Sequence, residues 1–219
     1  MKVDSFVDVA ELEAPVRGTL HHAAGGSGDF LVLSHGASGN SNTPLLVVLA
    51  DAFAGAGISV LRCDLPYRQR KPNGPPSRGD AERDQKGLRR AVALMKDQLT
   101  GRAFLGGSSY GGRQASMLAA SEPGLVEGLL LLSYPLHSPG KPAQQRTQHL
   151  PSLKTPVLFI SGTKDAFGTV EELQDAIKLI PARTKLISIE GAAHGLSESK
   201  RQTAVVSTIL GSFLEFFGE

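Results

Sequence analysis

The 219-residue chain is predicted to fold as an α/β protein, a single mostly parallel sheet with helices on both faces. Three observations carry this. Short, solidly apolar runs such as residues 30–34 and 129–132 have the composition of strands buried on both sides. Between such runs lie amphipathic segments; Leu88, Val92, Met95 and Leu99 recur at spacings of three and four. The junctions are punctuated by Gly and Pro, of which there are 25 and 13. At about 150 residues per domain, the length favours one domain spanning residues 1–219.

In chain order, residues 5–9 and 16–22 alternate polar and apolar side chains and predict an edge hairpin. Residues 30–34 form the first buried strand. A helix over residues 43–54 is ended by Gly55 and Gly57, and a strand follows at 58–62. Residues 66–79, rich in Pro, Arg and Gly, are expected to be a loop. A helix over 80–99, a strand at 103–107 and a small-residue helix over 111–121 come next. After the strand at 129–132, residues 134–156 carry Pro135, Pro139, Pro142 and Pro151 and read as a second long irregular segment. A strand at 157–161 precedes Thr169-Val170-Glu171-Glu172, a capping box that opens a helix ending at Pro181. A strand at 185–190 and a helix over 197–217 complete the chain. Repeated strand-helix units imply parallel pairing, and ligands in such sheets sit beyond the carboxyl ends of the strands.

Composition narrows the function. Hydrophobic residues at 41% and charged residues at 20% exclude a disordered chain. The net charge of +2 gives no reason to expect a nucleic-acid partner. No apolar run approaches the ~18 residues that span a bilayer, so no membrane association is expected. The opening Met1 to Asp8 is interrupted by acids and lacks a signal-peptide core. Cys63 has no second cysteine to pair with and reads as a buried small hydrophobe in a reducing compartment. A cytoplasmic location is expected. No histidine pair has HExxH spacing, so no metal is expected.

The chemistry-bearing signal is Gly107-Ser108-Ser109-Tyr110-Gly111, a G-x-S-x-G match between a predicted strand and a predicted helix. A sharp strand-to-helix turn exposes the Ser109 hydroxyl, and the glycines avoid collisions where the turn pinches. A nucleophilic serine needs a base. Of the six histidines, His21 and His22 belong to the hairpin and are expected to be exposed, and His137 and His149 lie in the irregular segment. His35 follows a strand within another motif. His194, in Gly191-Ala192-Ala193-His194-Gly195, follows the last strand and shares its carboxyl edge with Ser109. The acid that orients a histidine base is assigned to Asp165, just beyond a strand, with Glu190 as its rival. An oxyanion requires two N–H donors. Tyr110 supplies one, and Ala37, within His35-Gly36-Ala37-Ser38-Gly39, supplies the second, with Gly36 the next choice.

With Ser109, Asp165 and His194 in that order, the chain resembles the α/β-hydrolase superfamily over nearly its whole length. Its small size resembles the compact dienelactone-hydrolase-like branch. Tyr134-Pro135-Leu136-His137, Pro139-Gly140-Lys141-Pro142 and Gly162-Thr163-Lys164-Asp165 are similar to small bacterial hydrolase-like domains related to an animal testis-expressed protein. The resemblance implies a Ser-His-acid triad, no cofactor and a minimal or absent lid. Dienelactone hydrolases proper use a cysteine nucleophile where this chain has Ser109, which speaks against dienelactone as substrate.

The expected activity is hydrolysis of a small-molecule ester-like substrate through an acyl-enzyme. His35, Gly36, Arg113, Tyr134 and His137 are candidate substrate contacts, and residues 134–156 a substrate-shaping loop. The basic run Tyr67-Arg68-Gln69-Arg70-Lys71 reads as solvated surface charge, with an anionic substrate group as the alternative. A non-catalytic binding scaffold, or thioester or peptide cleavage by the same triad, stays open at this level.

Overall fold

The computed structural model describes residues 2–25, 27–196 and 202–218. Eight strands form one sheet: β1 (Val3–Asp8), β2 (Val16–His21), β3 (Phe30–Ser34), β4 (Ser59–Asp64), β5 (Ala103–Ser108), β6 (Gly128–Leu132), β7 (Val157–Gly162) and β8 (Thr184–Ile189). Their spatial order is β1-β2-β4-β3-β5-β6-β7-β8. The hairpin is antiparallel, β2 meets β4 antiparallel, and the remaining pairs are parallel.

The helices are α1 (Pro44–Gly55), α2 (Pro66–Arg70), α3 (Asp80–Lys96), α4 (Tyr110–Ser121), α5 (Val170–Ile177) and α6 (Gln202–Phe217). The predicted start of the last helix at Ser197 lies outside the described residues. The solid apolar strands divide their side chains between two cores. Val32, Leu129, Leu131 and Phe159 pack with α3, α4 and α5, while Leu31, Leu33, Leu130 and Ile160 face α1 and α6. This is the period-2 alternation of a sheet covered on both faces. Thr169 caps α5 through its hydroxyl, and Glu172 returns the bond to the Thr169 N–H, completing the capping box. None of the helices is long and apolar enough to cross a membrane among the described residues.

Three local expectations change. Residues 66–70 are not loop but helix α2, started by Pro66, whose ring presets the first helical φ. Arg68 and Tyr67 are buried rather than solvated. The Arg68 guanidinium reaches the carbonyls of Ala37, Gly39, Lys71, Pro72 and Gly74, which gather around it in place of water. His21 is buried, not exposed, because Asp51 and Arg62 reach it from α1 and β4. It donates from Nδ1 to Asp51 and accepts at Nε2 from Arg62, and burial followed by the Arg62 charge lowers its pKa. Residues 134–156 are irregular as read, with only one 3-10 turn, Leu150–Ser152, and within them Tyr134, Leu136, Leu150 and Leu153 are buried in the core.

Candidate active site

Ser109 stands between β5 and α4 with φ 50° and ψ −115°. A side chain with this backbone is strained, by about 1–3 kcal/mol. The turn is held on both sides: the Ser109 N–H donates to Leu132 O at 2.8 Å, and its carbonyl accepts from Arg113 N at 3.0 Å. Gly111 permits the turn, since a Cβ there would stand 2.5 Å from both His35 O and Ser34 Oγ.

The loops after β7 and β8 bring two further groups to the same edge. His194 Nε2 lies 2.8 Å from Ser109 Oγ. His194 Nδ1 lies 2.9 and 2.8 Å from the two oxygens of Asp165. With Nδ1–H donated to the carboxylate, Nε2 presents its lone pair to the serine hydroxyl. The Asp165 side chain is 1% exposed and that of His194 24%. Asp165 also accepts from Phe167 N at 2.8 Å, which fixes its orientation. The loops are laced by Lys164 N to Ala192 O and Gly191 N to Thr163 Oγ1, each 2.9 Å. Glu190 is exposed and follows the end of β8, so the rival acid is turned to solvent.

The Ala37 N–H, expected as an oxyanion donor, lies in the loop after β3. Gly36 O accepts from His35 Nδ1 at 2.8 Å and lies 3.3 Å from the Tyr67 hydroxyl, which donates to Ala37 O at 2.9 Å. A trans peptide points N–H opposite the preceding C=O, so the Ala37 N–H is directed away from these internal donors. No acceptor among the described residues takes the N–H of Ala37 or Tyr110. The first-turn amides of α4 are unsatisfied by helix geometry.

A cavity of about 530 Å³ opens beside Ser109 and His194. Its walls are residues 36–39, the start of α1 from Thr43 to Leu46, Gly74, Pro75 and Phe167, with no Asp, Glu, Lys or Arg among the described residues. Gly36, a candidate substrate contact, is one of its lining residues. Arg113 and Arg146 line a second cavity of about 320 Å³ on another side of Ser109.

The other expected contacts turn inward. His35 is fully buried; its Nε2 accepts from Leu65 N at 3.1 Å, and burial lowers its pKa. It braces the loop through both ring nitrogens. Tyr134 is 1% exposed and donates to Arg146 O at 2.7 Å; burial raises its pKa to about 12. His137 is 5% exposed and lies between Ser138 O and Glu172, which raise its pKa. Each has its polar atoms committed to the scaffold.

Three positions escape sequence reasoning. Phe167 stacks on His194 with ring centroids 4.0 Å apart and planes at 26°. Asp84, fully buried on α3, accepts from Tyr110 Oη at 2.7 Å and Tyr67 N at 2.9 Å. It thereby anchors the residue that follows Ser109, and burial raises its pKa to about 6. The available signal was an acid on the apolar face of α3, four residues before Leu88. Arg68 is the third, holding the carbonyls of the Ala37 loop.

A family model described as an alpha/beta hydrolase domain matches residues 27–215. The chain is similar to dienelactone hydrolase from Anabaena variabilis, at 21% identity over 99% of both chains and a TM-score of 0.75. It is similar to Est1E from Butyrivibrio proteoclasticus, at 15% identity over 100% of both chains and a TM-score of 0.78. An alpha-beta serine hydrolase homologue from Coxiella burnetii aligns at 14% identity over 97% of this chain and 98% of that one, with a TM-score of 0.79. At these identities the likeness is one of fold. With the sheet order and the matched family domain together, the chain belongs to the alpha/beta hydrolases.

Proposed function

We propose that the protein is a serine hydrolase that cleaves an ester-like bond in a small molecule through an acyl-enzyme. The observation that carries this reading is the continuous contact from Asp165 through His194 to Ser109, at 2.8–2.9 Å, on a serine held at φ 50°. His194 Nε2 takes the Ser109 proton as Oγ attacks the acyl carbon, and Asp165 stabilises the imidazolium that forms. The Tyr110 and Ala37 N–H groups receive the developing oxyanion. His194 then protonates the leaving group, and water, activated by the same nitrogen, releases the acid. No cofactor enters this scheme.

The apolar cavity suits one apolar portion of the substrate, and residues 134–156, through Pro135 and Arg146, shape the other side. Cys63 takes no part: it is buried, and desolvation pushes its thiol up to about 12. Its free state fits a cytoplasmic location. The test is pre-steady-state turnover of a p-nitrophenyl ester. A burst of p-nitrophenol equal to the enzyme concentration supports the acyl-enzyme. A turnover that survives Ser109→Ala in a folded protein contradicts it.

A further inference from the structure

Ser109 stands where two unlike cavities meet. The larger is walled by small and apolar residues. The smaller, about 320 Å³, places the guanidinium-bearing residues Arg113 and Arg146 beside Ser109, Tyr110 and Pro135. Arg113 lies in the first turn of α4, its N–H bonded to the Ser109 carbonyl at 3.0 Å, and both residues line this cavity.

Among the described residues, neither of these cations has an acidic partner. Arg70, Arg89, Arg90 and Arg102 each pair with an Asp or Glu. Around Arg113 stand the Tyr134 hydroxyl, Arg146 and His149, none of them an acid. The buried Arg113 Nε has no acceptor among the described residues. A buried donor left without a partner is unfavourable, which favours an acceptor brought in by a ligand. Burial and then the Arg113 charge lower the pKa of both Arg146 and His149, the latter to about 4, so His149 adds no charge at neutral pH. Arg146 is partly occupied, donating to Pro135 O at 3.0 Å and Ser138 Oγ at 2.8 Å. The Arg113 guanidinium, which also hydrogen-bonds the Tyr134 hydroxyl, and the Arg146 charge beside it match a single planar negative charge.

We propose that the substrate is an ester carrying a carboxylate, which Arg113 and Arg146 hold while Ser109 attacks the ester carbonyl of the same molecule. This rests on the serine-hydrolase reading and names its substrate class. The carboxylate occupies the arginine-lined cavity, and the apolar portion enters the larger one.

The test compares two esters with the same leaving group, mono-p-nitrophenyl glutarate and its neutral methyl ester. Wild type is expected to favour the anion in kcat/KM on the order of 10- to 100-fold, the range of a charge-assisted hydrogen bond. Arg113→Gln brings the ratio close to one, and Arg113→Lys retains part of it, each with melting followed to verify the fold. A wild-type ratio near one overturns the proposal, as does a preference that persists in both Arg113→Gln and Arg146→Gln. Calorimetric titration of Ser109→Ala with monomethyl and dimethyl glutarate reads the same site without catalysis. If neither ester is turned over, the serine-hydrolase reading fails and this titration decides alone. Binding of the monoanion that is lost on adding Arg113→Gln supports the carboxylate site, and equal or absent binding of the two compounds overturns it.

Discussion

Gly162→Ala is expected to disable the site without touching any of its reacting groups. Gly162 ends β7, three residues before Asp165, and packs against the loop that carries His194. A Cβ there would stand 2.6 Å from the Ala192 carbonyl carbon and 2.9 Å from Ala193 O. These are backbone atoms, so no rotamer change relieves the overlap. The Ala192 carbonyl oxygen stands closer still, so reaching ordinary contact at 3.4 Å requires the loops to part by more than the 0.8 Å needed at the carbonyl carbon. Asp165 and His194 are held together at 2.8–2.9 Å, and the same displacement takes them out of hydrogen-bond range. A misplacement of about 1 Å costs on the order of 10²-fold in rate. Overpacking of this kind costs about 1–3 kcal/mol in stability, which in a domain this long lowers Tm by about 2–12 °C. Steady-state kcat on a p-nitrophenyl ester and a circular-dichroism melt measure both effects. A variant within three-fold of wild-type kcat, with the melt lowered as expected, would refute the argument that loop spacing holds the triad.

Asp165→Asn keeps the shape but favours the wrong His194 tautomer, so kcat is expected to fall by up to about 10⁴-fold, the loss in the serine-protease template. Glu190→Gln, at an exposed position, is expected to change kcat little; the reverse ranking moves the acid to Glu190. Asp84 has its pKa raised from 3.8 to about 6, chiefly by burial, so the folded state holds this proton more tightly than the unfolded chain. Its contribution is therefore favourable below about pH 4 and lost as pH rises to about 6, amounting to no more than about 3 kcal/mol. The difference in urea-unfolding free energy between wild type and Asp84→Asn is expected to change across that window and level off above it; a difference independent of pH contradicts the assignment. Cys63, buried with its thiol raised to about 12, is expected to resist a thiol reagent under native conditions and to react on unfolding. Rapid native modification would mean that the β4 region opens.

The legible parts of this protein were those set by local pattern. Residues 30–34 and 129–132 read as strands because each successive side chain enters one core or the other, leaving no polar face. Ser109, Asp165 and His194 could be placed together because each follows a strand, and parallel strands deliver their carboxyl ends to one edge. What escaped depends on partners distant in sequence. Arg68 is buried because carbonyls from residues 37, 39 and 74 converge on it, and nothing in its neighbours Tyr67 and Gln69 announces that. His21 needs Asp51 and Arg62 for its burial. The proline-rich composition of residues 134–156 reads as irregular, which it is, but nothing in it announces that Tyr134 and Leu136 pack into the sheet core and that Arg146 ties the segment back through the Leu136 carbonyl. Phe167 stacks on His194 only because the loops after β7 and β8 are laced together.

The most direct test of the central claim is covalent labelling with a fluorophosphonate, followed by peptide mass mapping. One phosphonyl adduct per chain is expected, on Ser109, whose Oγ lies 2.8 Å from His194 Nε2. Labelling is expected to disappear in Ser109→Ala and to slow by on the order of 10³-fold or more in His194→Ala, since the members of a triad act as a unit. An adduct on another residue, or no adduct on a protein with an intact melting transition, would contradict it.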